Sequence, residues 1–448
     1  MTPLVQKIKE RIEGTKYKGL VFVAGGAVRD YVMGNTPKDI DLLINLPNGG
    51  LEFARYMSVI FNGKYVEYPR YGVGLFEIDG VDIECVMPRT EVYPEGSRHP
   101  EVQFTTLEED VKRRDFTINS LLWDVSNERV LDLTGNGILD IKTFYINTVG
   151  DPVERFTEDP LRLLRAIRFF SRYEDFVFDN NTYKALSTCS EDLHTISKER
   201  IQDELLKILV TPHVKRAFDI MYVTGLLDVI LPELSEAVGC TQNEHHFEDV
   251  FQHSLTVVSK CPLDPIVRLA ALLHDIGKPS TRVEHDGKVT FHGHERIGGE
   301  ITTSILQRLK FSNEIIDKVT KIATNHMRLK QAGPNGTEIS DKALRRFIVE
   351  MGDDLDDVLT VMHVDNISHA PDSCMTDQIV HIGIRIEQLK KDFEVKHNSI
   401  NLPINGTDVM LHLGITPGPE VGEKLKIVEE AVLDNPQLTK NEALSLIV

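Results

Sequence analysis

The chain has 448 residues, 41% hydrophobic and 27% charged, a near-average globular composition too long for one hydrophobic core, so two or more domains are expected. No apolar run approaches the roughly 20 residues needed to cross a bilayer, which excludes a membrane-spanning helix. The net charge of −19 excludes a chain that coats nucleic acid non-specifically, because neutralising phosphate takes clustered Lys and Arg.

Basic clusters do occur, at Lys112-Arg113-Arg114 and at Arg162, Arg165 and Arg168, so any nucleic acid is expected in a local basic cleft on an acidic body. The N-terminus lacks an apolar signal core, and Cys85, Cys189, Cys240, Cys261 and Cys374 form no CxxC pair. A cytoplasmic location is expected.

Residues 20–24 read as a buried strand ending at Gly25-Gly26, a tight turn into a helix carrying Arg29. Backbone amides at such a turn approach phosphate closely, and Arg29 adds a charge-assisted donor. Taken alone, a Gly-Gly turn is more often structural. A second strand is expected at 40–44, where alternation puts Asp39 and Asp41 on one face, and a third at 81–86, carrying Glu84. Carboxylates so grouped suit magnesium and in-line nucleotidyl transfer with two metal ions. Asp82 competes with Glu84 for the third position. A solvated acidic strand is the bland alternative, but unpaired carboxylates on a strand of Ile and Leu are costly.

From about 155 onward apolar residues recur every three or four, as in 160–170 and 197–209, and the remainder reads as mainly α-helical. The fold class expected is α+β, with a head of strands and helices followed by helical domains. Asp159 and Arg162 fall three apart, which on one helix face presents an acceptor and donors resembling a base-pair edge. Without context, an exposed salt bridge would be the favoured reading.

Further on, His253, His274-Asp275, His294, His326 and Asp365 are spread over successive predicted helices, a set suited to a transition-metal site. A lone His on an apolar helix is usually a packed or capping residue.

Gly25-Gly26-Ala27-Val28-Arg29-Asp30 followed by Lys38-Asp39-Ile40-Asp41 closely resembles the catalytic signature of class II tRNA nucleotidyltransferases (CCA-adding enzymes) and bacterial poly(A) polymerases, members of the polymerase β superfamily. Arg113 to Asn119, with Arg114, Asp115 and Asn119, looks like that family's sugar- and phosphate-contacting motif. Asp132 to Gly135 with Asp140 looks like its hinge. Glu158-Asp159-Pro160-Leu161-Arg162 matches its EDxxR amino-acid template, and Glu199-Arg200 with Glu204 matches an ERxxxE element. One departure is Cys85-Val86-Met87-Pro88-Arg89 after Glu84, where the family usually carries small or hydroxyl residues before the arginine.

What the resemblance implies is template-independent addition of CCA to tRNA 3′ ends from CTP and ATP with Mg²⁺. Asp39, Asp41 and Glu84 would be catalytic, and Gly25, Gly26, Arg29, Arg114, Asp115, Asn119, Asp159, Arg162, Arg165 and Arg168 would bind nucleotide. A poly(A) polymerase or an enzyme adding only CC or only A remains open, the difference lying partly in the segment around 90–108.

The histidine set resembles an HD phosphohydrolase domain. In that family His253, His274, Asp275 and Asp365 would be the minimal ligands of Ni²⁺, Co²⁺ or Mn²⁺, leaving His294 and His326 for a second ion or the substrate phosphate. A hydrolase of nucleotides or cyclic phosphates with an RNA-binding head is the rival from another class. The expected domains are a head at 1–145, a helical neck at 146–240, an HD domain at 241–370 and a tRNA-binding tail at 371–448.

Overall fold

A computed structural model describes residues 1–448 apart from 38, 93–100, 243–246, 334, 393–394 and 397–398. The chain divides into two compact units, one made of 1–196 with 224–226, the other of 197–223 with 227–448. The fold class is α+β, as expected.

The first unit is built on a mixed sheet. Its strands are β1 (Val21–Ala24), β2 (Asp41–Ile44), β3 (Tyr65–Tyr68), β4 (Val73–Ile78), β5 (Val81–Val86), β6 (Leu122–Asp124) and β7 (Arg129–Leu131). Their order across the sheet is β3-β4-β5-β2-β1-β6-β7. The three strands expected from the sequence form within a residue of their predicted bounds. β1 is buried along its whole length, as a central strand covered on both faces must be, and Phe22, Ala24 and Leu43 join Val111 and Leu122 in a core beneath the sheet. All pairings are antiparallel except β2 with β5, whose parallel register sets Asp41 opposite Glu84.

Part of the expected 90–108 segment lies outside the described residues, and its flanks 89–92 and 101–104 pair as two antiparallel strands. Helix α1 (Gly26–Val32) follows β1, and α2 (Leu107–Lys112) precedes the Arg113-Arg114 pair. Two further helices, α3 (Pro152–Glu158) and α4 (Leu161–Arg172), are separated by Asp159 and Pro160. Proline cannot donate to a helical ladder and restricts the residue before it, which breaks the segment there.

The second unit is helical, and its centre is α6 (Pro265–Leu273), with every residue from Val267 to Leu273 buried. α5 (Val250–Lys260) packs against α6, as does α8 (Asn313–Asn325); α7 (His294–Arg308) lies against α8, and α9 (Leu355–Asn366) touches α5, α6 and α8. Among the described residues no helix is long and apolar enough to cross a membrane.

Candidate functional sites

The first site forms where β1, β2 and β5 end. Gly25 follows β1 with φ 67° and ψ −128°, a conformation nearly closed to L-residues, and it starts α1. The guanidinium of Arg114 lies against this turn, 3.8 Å from where a Cβ on Gly25 would sit. Asp41 opens β2 and faces Glu84, while Asp82 pairs with Glu77 on the other side of β5. Desolvation, then the charges of Glu84 and Asp39, push the Asp41 carboxyl up to about 6, against the pull of Arg114. Of the two candidates for the third carboxylate, Glu84 is the one in register with Asp41.

Around them runs a chain of charge-assisted hydrogen bonds. Arg29, 3% exposed, donates to Asn119 Oδ1 at 2.6 Å and to Asp30 Oδ1 at 2.7 Å from Nη2. Asn119 Nδ2 donates to Asp115 Oδ1 at 3.2 Å, and Asp115 Oδ2 accepts from Arg165 at 2.8 Å and 2.5 Å. Burial, the largest single influence, would raise Asp115, but the Arg165 charge together with hydrogen bonds from Arg165, the Phe116 amide and Asn119 holds the carboxyl below its ordinary range. Arg168 lies over the Phe169 ring, its guanidinium carbon 4.9 Å from the centroid.

Asp159 and Arg162 are not on one helix face. Asp159 has extended backbone at the end of α3, and only Arg162 is inside α4. The cause is Pro160, whose ring excludes a continuous helix through the pair. Arg162 donates to Glu158 Oε2 at 3.1 Å, Arg155 O at 2.9 Å and Arg113 O at 2.7 Å. Asp110, Asp115 and Glu158 are thus matched to arginines.

The second site is a buried cluster in the helical unit. His253 from α5, His274 and Asp275 just after α6, His294 at the start of α7, His326 after α8 and Asp365 from α9 converge, all at most 6% exposed. His253 Nε2 is 3.0 Å from Asp365 Oδ1 and His274 Nε2 is 3.1 Å from Asp275 Oδ2. On the other side of the Asp275 carboxylate, Oδ1 lies 3.3 Å from His294 Nε2 and 3.5 Å from His326 Nε2.

Gly277 makes this approach possible, since a Cβ there would stand 2.3 Å from His294 O. His274, His294 and His326 each place Nδ1 within 2.6–2.8 Å of a backbone carbonyl three residues back. A carbonyl only accepts, so Nδ1 carries the proton and Nε2 presents a lone pair to the centre. Those three Nε2 atoms and Asp275 Oδ1 are buried without a hydrogen-bond partner. Unpaired lone pairs facing a buried carboxylate repel one another, and a cation among them removes that cost.

Two groups of ligand atoms lie within 4.8 Å of one another among the described residues, His253-His274-Asp365 and His274-Asp275-His326; Asp39, Asp41 and Glu84 form no such group. Burial would raise both aspartates, but His274 and Lys278 hold Asp275 low, and Lys330 chiefly does so for Asp365. Burial lowers His326 to about 4.

Three neighbours escaped the sequence reading: Lys330, 2.9 Å from Asp365 Oδ2, His369, 3.7 Å from Oδ1, and Gln242, which accepts from Lys278 at 2.7 Å. The spacing of His369 four residues after Asp365 was the available signal. A cavity of about 660 Å³ adjoins the cluster, lined by Lys278, Phe291, His294, Met327, Lys330 and His369 among others.

The family model of the poly A polymerase head domain matches residues 21–147, and that of the RNA- and SrmB-binding site of polymerase A matches 175–238. A model of tRNA nucleotidyltransferase domain 2 matches 296–448. The A-adding tRNA nucleotidyltransferase of Deinococcus radiodurans is 31% identical over 422 residues, 91% of this chain and 90% of that protein. The chain belongs to the tRNA nucleotidyltransferase family. Another tRNA nucleotidyltransferase, the CC-adding enzyme of Thermus thermophilus, is 30% identical over 450 residues, covering 95% of this chain and 93% of its own. The CCA-adding enzyme of Bacillus stearothermophilus, solved in complex with CTP, shares the fold with a TM-score of 0.71 at 23% identity, over 100% of this chain and 97% of that one. In this tRNA nucleotidyltransferase the expected motifs from Gly25 to Arg162 lie in the first unit, whereas Glu199, Arg200 and Glu204 lie in the second.

Proposed function

We propose that the protein adds CCA to tRNA 3′ ends from CTP and ATP without a nucleic-acid template, in a reducing cytoplasm. The observation that carries this reading is the pairing of Asp41 with Glu84 beside the Gly25 turn and Arg114. Asp39, Asp41 and Glu84 would hold Mg²⁺, and the burial that chiefly raises Asp41, with the added negative charge of Glu84 and Asp39, is what a divalent cation offsets. When bound, Mg²⁺ activates the terminal hydroxyl and neutralises the triphosphate. Gly25, Gly26, Arg29 and Arg114 bind and orient the phosphates. Asp115 and Asn119, locked by Arg165 and Arg29, face the sugar, and Arg168 extends the basic wall. Asp159 and Arg162 supply the base-pairing edge, presented from a helix break rather than one helix face. We retain a head at 1–145, a neck at 146–240, an HD domain at 241–370 and a tail at 371–448 as functional divisions.

Incubating the protein with Mg²⁺, tRNA lacking CCA or only its final A, and each labelled NTP alone and together tests this. Full CCA requires both CTP and ATP. Incorporation of AMP alone, or of CMP alone, would instead assign the activity named for the Deinococcus or the Thermus relative; long AMP tracts would assign poly(A) synthesis.

A second reading is favoured by the buried histidine cluster: a metal-dependent phosphohydrolase in the helical unit, acting on phosphates at the ends of damaged RNA. His253, His274, Asp275 and Asp365 would hold a divalent transition metal such as Ni²⁺, Co²⁺ or Mn²⁺, with His294 and His326 on the far side of Asp275. Bound there, such an ion lowers the pKa of water and polarises a phosphoryl oxygen. Lys278 and Lys330 border the cavity and bind phosphate. Hydrolysis of a 2′,3′-cyclic phosphate with these metals, and its loss on chelation, tests this reading; hydrolysis without nucleotide addition would support the rival hydrolase with an RNA-binding head.

A further inference from the structure

Asp110 belongs to none of the motifs above, yet it is 1% exposed within the short helix α2, and both of its oxygens accept hydrogen bonds. One oxygen, Oδ2, accepts from Arg114 Nε at 3.2 Å and Nη2 at 3.0 Å. The other, Oδ1, accepts from Arg113 Nη2 at 2.8 Å and from the backbone amide of Arg89 at 3.3 Å. A single carboxylate therefore binds two consecutive arginines just past α2.

Each arginine leads to a different half of the nucleotide site. Arg114, oriented by Oδ2, places Nη1 3.3 Å from Asn119 O and lies under the Gly25 turn, where its charge reaches Asp41. Arg113, oriented by Oδ1, offers its carbonyl to Arg162 Nη2 at 2.7 Å. Arg162 thus takes its position from the segment that Asp110 anchors. The carboxylate is buried while the arginine side chains are 35% and 18% exposed, and guanidinium–carboxylate pairs with this many donors are directional.

We propose that Asp110 is a positioning residue for nucleotidyl transfer, setting the phosphate-side Arg114 and the base-side Arg162 in common register. This rests on the nucleotide-addition reading of the head. A neutral amide of the same shape keeps the volume but forfeits the charge and at least one acceptor, so both arginines gain freedom.

The test compares Asp110→Asn with the wild-type full-length protein in single-nucleotide addition, with melting temperature measured alongside. Failure of the wild type to incorporate any nucleotide overturns the nucleotide-addition reading itself. With an active wild type, Asp110→Asn is expected to raise the KM for the NTP about tenfold while the KM for tRNA stays within about twofold, and to increase UMP and GMP misincorporation. Wild-type NTP KM and selectivity in a folded variant overturn the proposal. So does a loss confined to kcat that tracks the unfolded fraction, the mark of a purely structural role. If Asp110→Asn fails to fold, Asp110→Glu keeps the charge but displaces both arginines, and the NTP KM and misincorporation are expected to rise together. Unchanged selectivity there overturns the proposal too.

Discussion

Glu84 is the register partner of Asp41 across the parallel pair β2 and β5, whereas Asp82, two residues earlier on the same face, precedes the start of that pairing. Side chains directly opposite in a sheet are neighbours, and residues two apart are separated by a further strand repeat of about 6.6 Å. Glu84→Gln is therefore expected to lower kcat for AMP or CMP addition about a hundredfold or more, as Asp41→Asn does, with tRNA affinity nearly unchanged. Asp82→Asn should remain within about threefold of wild type. Single-turnover rates in Mg²⁺ check this, and the reverse ranking would assign the third carboxylate to Asp82.

Selectivity is expected to reside in Arg162. Its donors are held by Glu158, Arg155 O and Arg113 O, which fixes the guanidinium plane before any base arrives. Arg162→Ala should relax discrimination against UMP and GMP more than it slows a correct addition, because hydrogen bonds to the base edge separate one nucleotide from another. Competition assays with paired NTPs measure this. If discrimination is retained, the base is read elsewhere.

In the helical unit, His274→Ala combined with Asp275→Ala removes a ligand from each side of the cluster. Titration with Ni²⁺, Co²⁺ or Mn²⁺ should show tight binding lost, together with phosphoester hydrolysis, while nucleotide addition in Mg²⁺ survives. A wild-type protein that binds none of these metals would show the histidines to be structural.

Arg268 serves stability rather than catalysis. Its guanidinium, 3% exposed, donates to the backbone carbonyls of Leu209, Thr211, Cys261 and Pro262, joining chain segments that are distant in sequence. Arg268→Met keeps the stem but leaves these carbonyls buried without their donor, at an expected cost of about 3 kcal/mol. Urea unfolding followed by far-UV circular dichroism measures it; a change under about 1 kcal/mol would mean that water or a shifted chain replaces the guanidinium.

The sequence by itself determined the sheet's inner strands and the helical character of the remainder, and it named the candidate site residues. Those signals are local: the apolar run before Gly25, the alternation around Asp39 and Asp41, and the recurrence of apolar residues every three or four. The tertiary structure alone decided which groups meet. Parallel pairing chose Glu84 over Asp82, because register is set by how two distant strands pack and not by either strand's pattern. Pro160 took Asp159 off the helix, a local signal present in the sequence but outweighed there by the three-residue spacing. Asp110 and Lys330 became visible only once folding had made ordinary charged residues partners of particular arginines and carboxylates, since an exposed ion pair is weak and a buried carboxylate must be matched atom by atom.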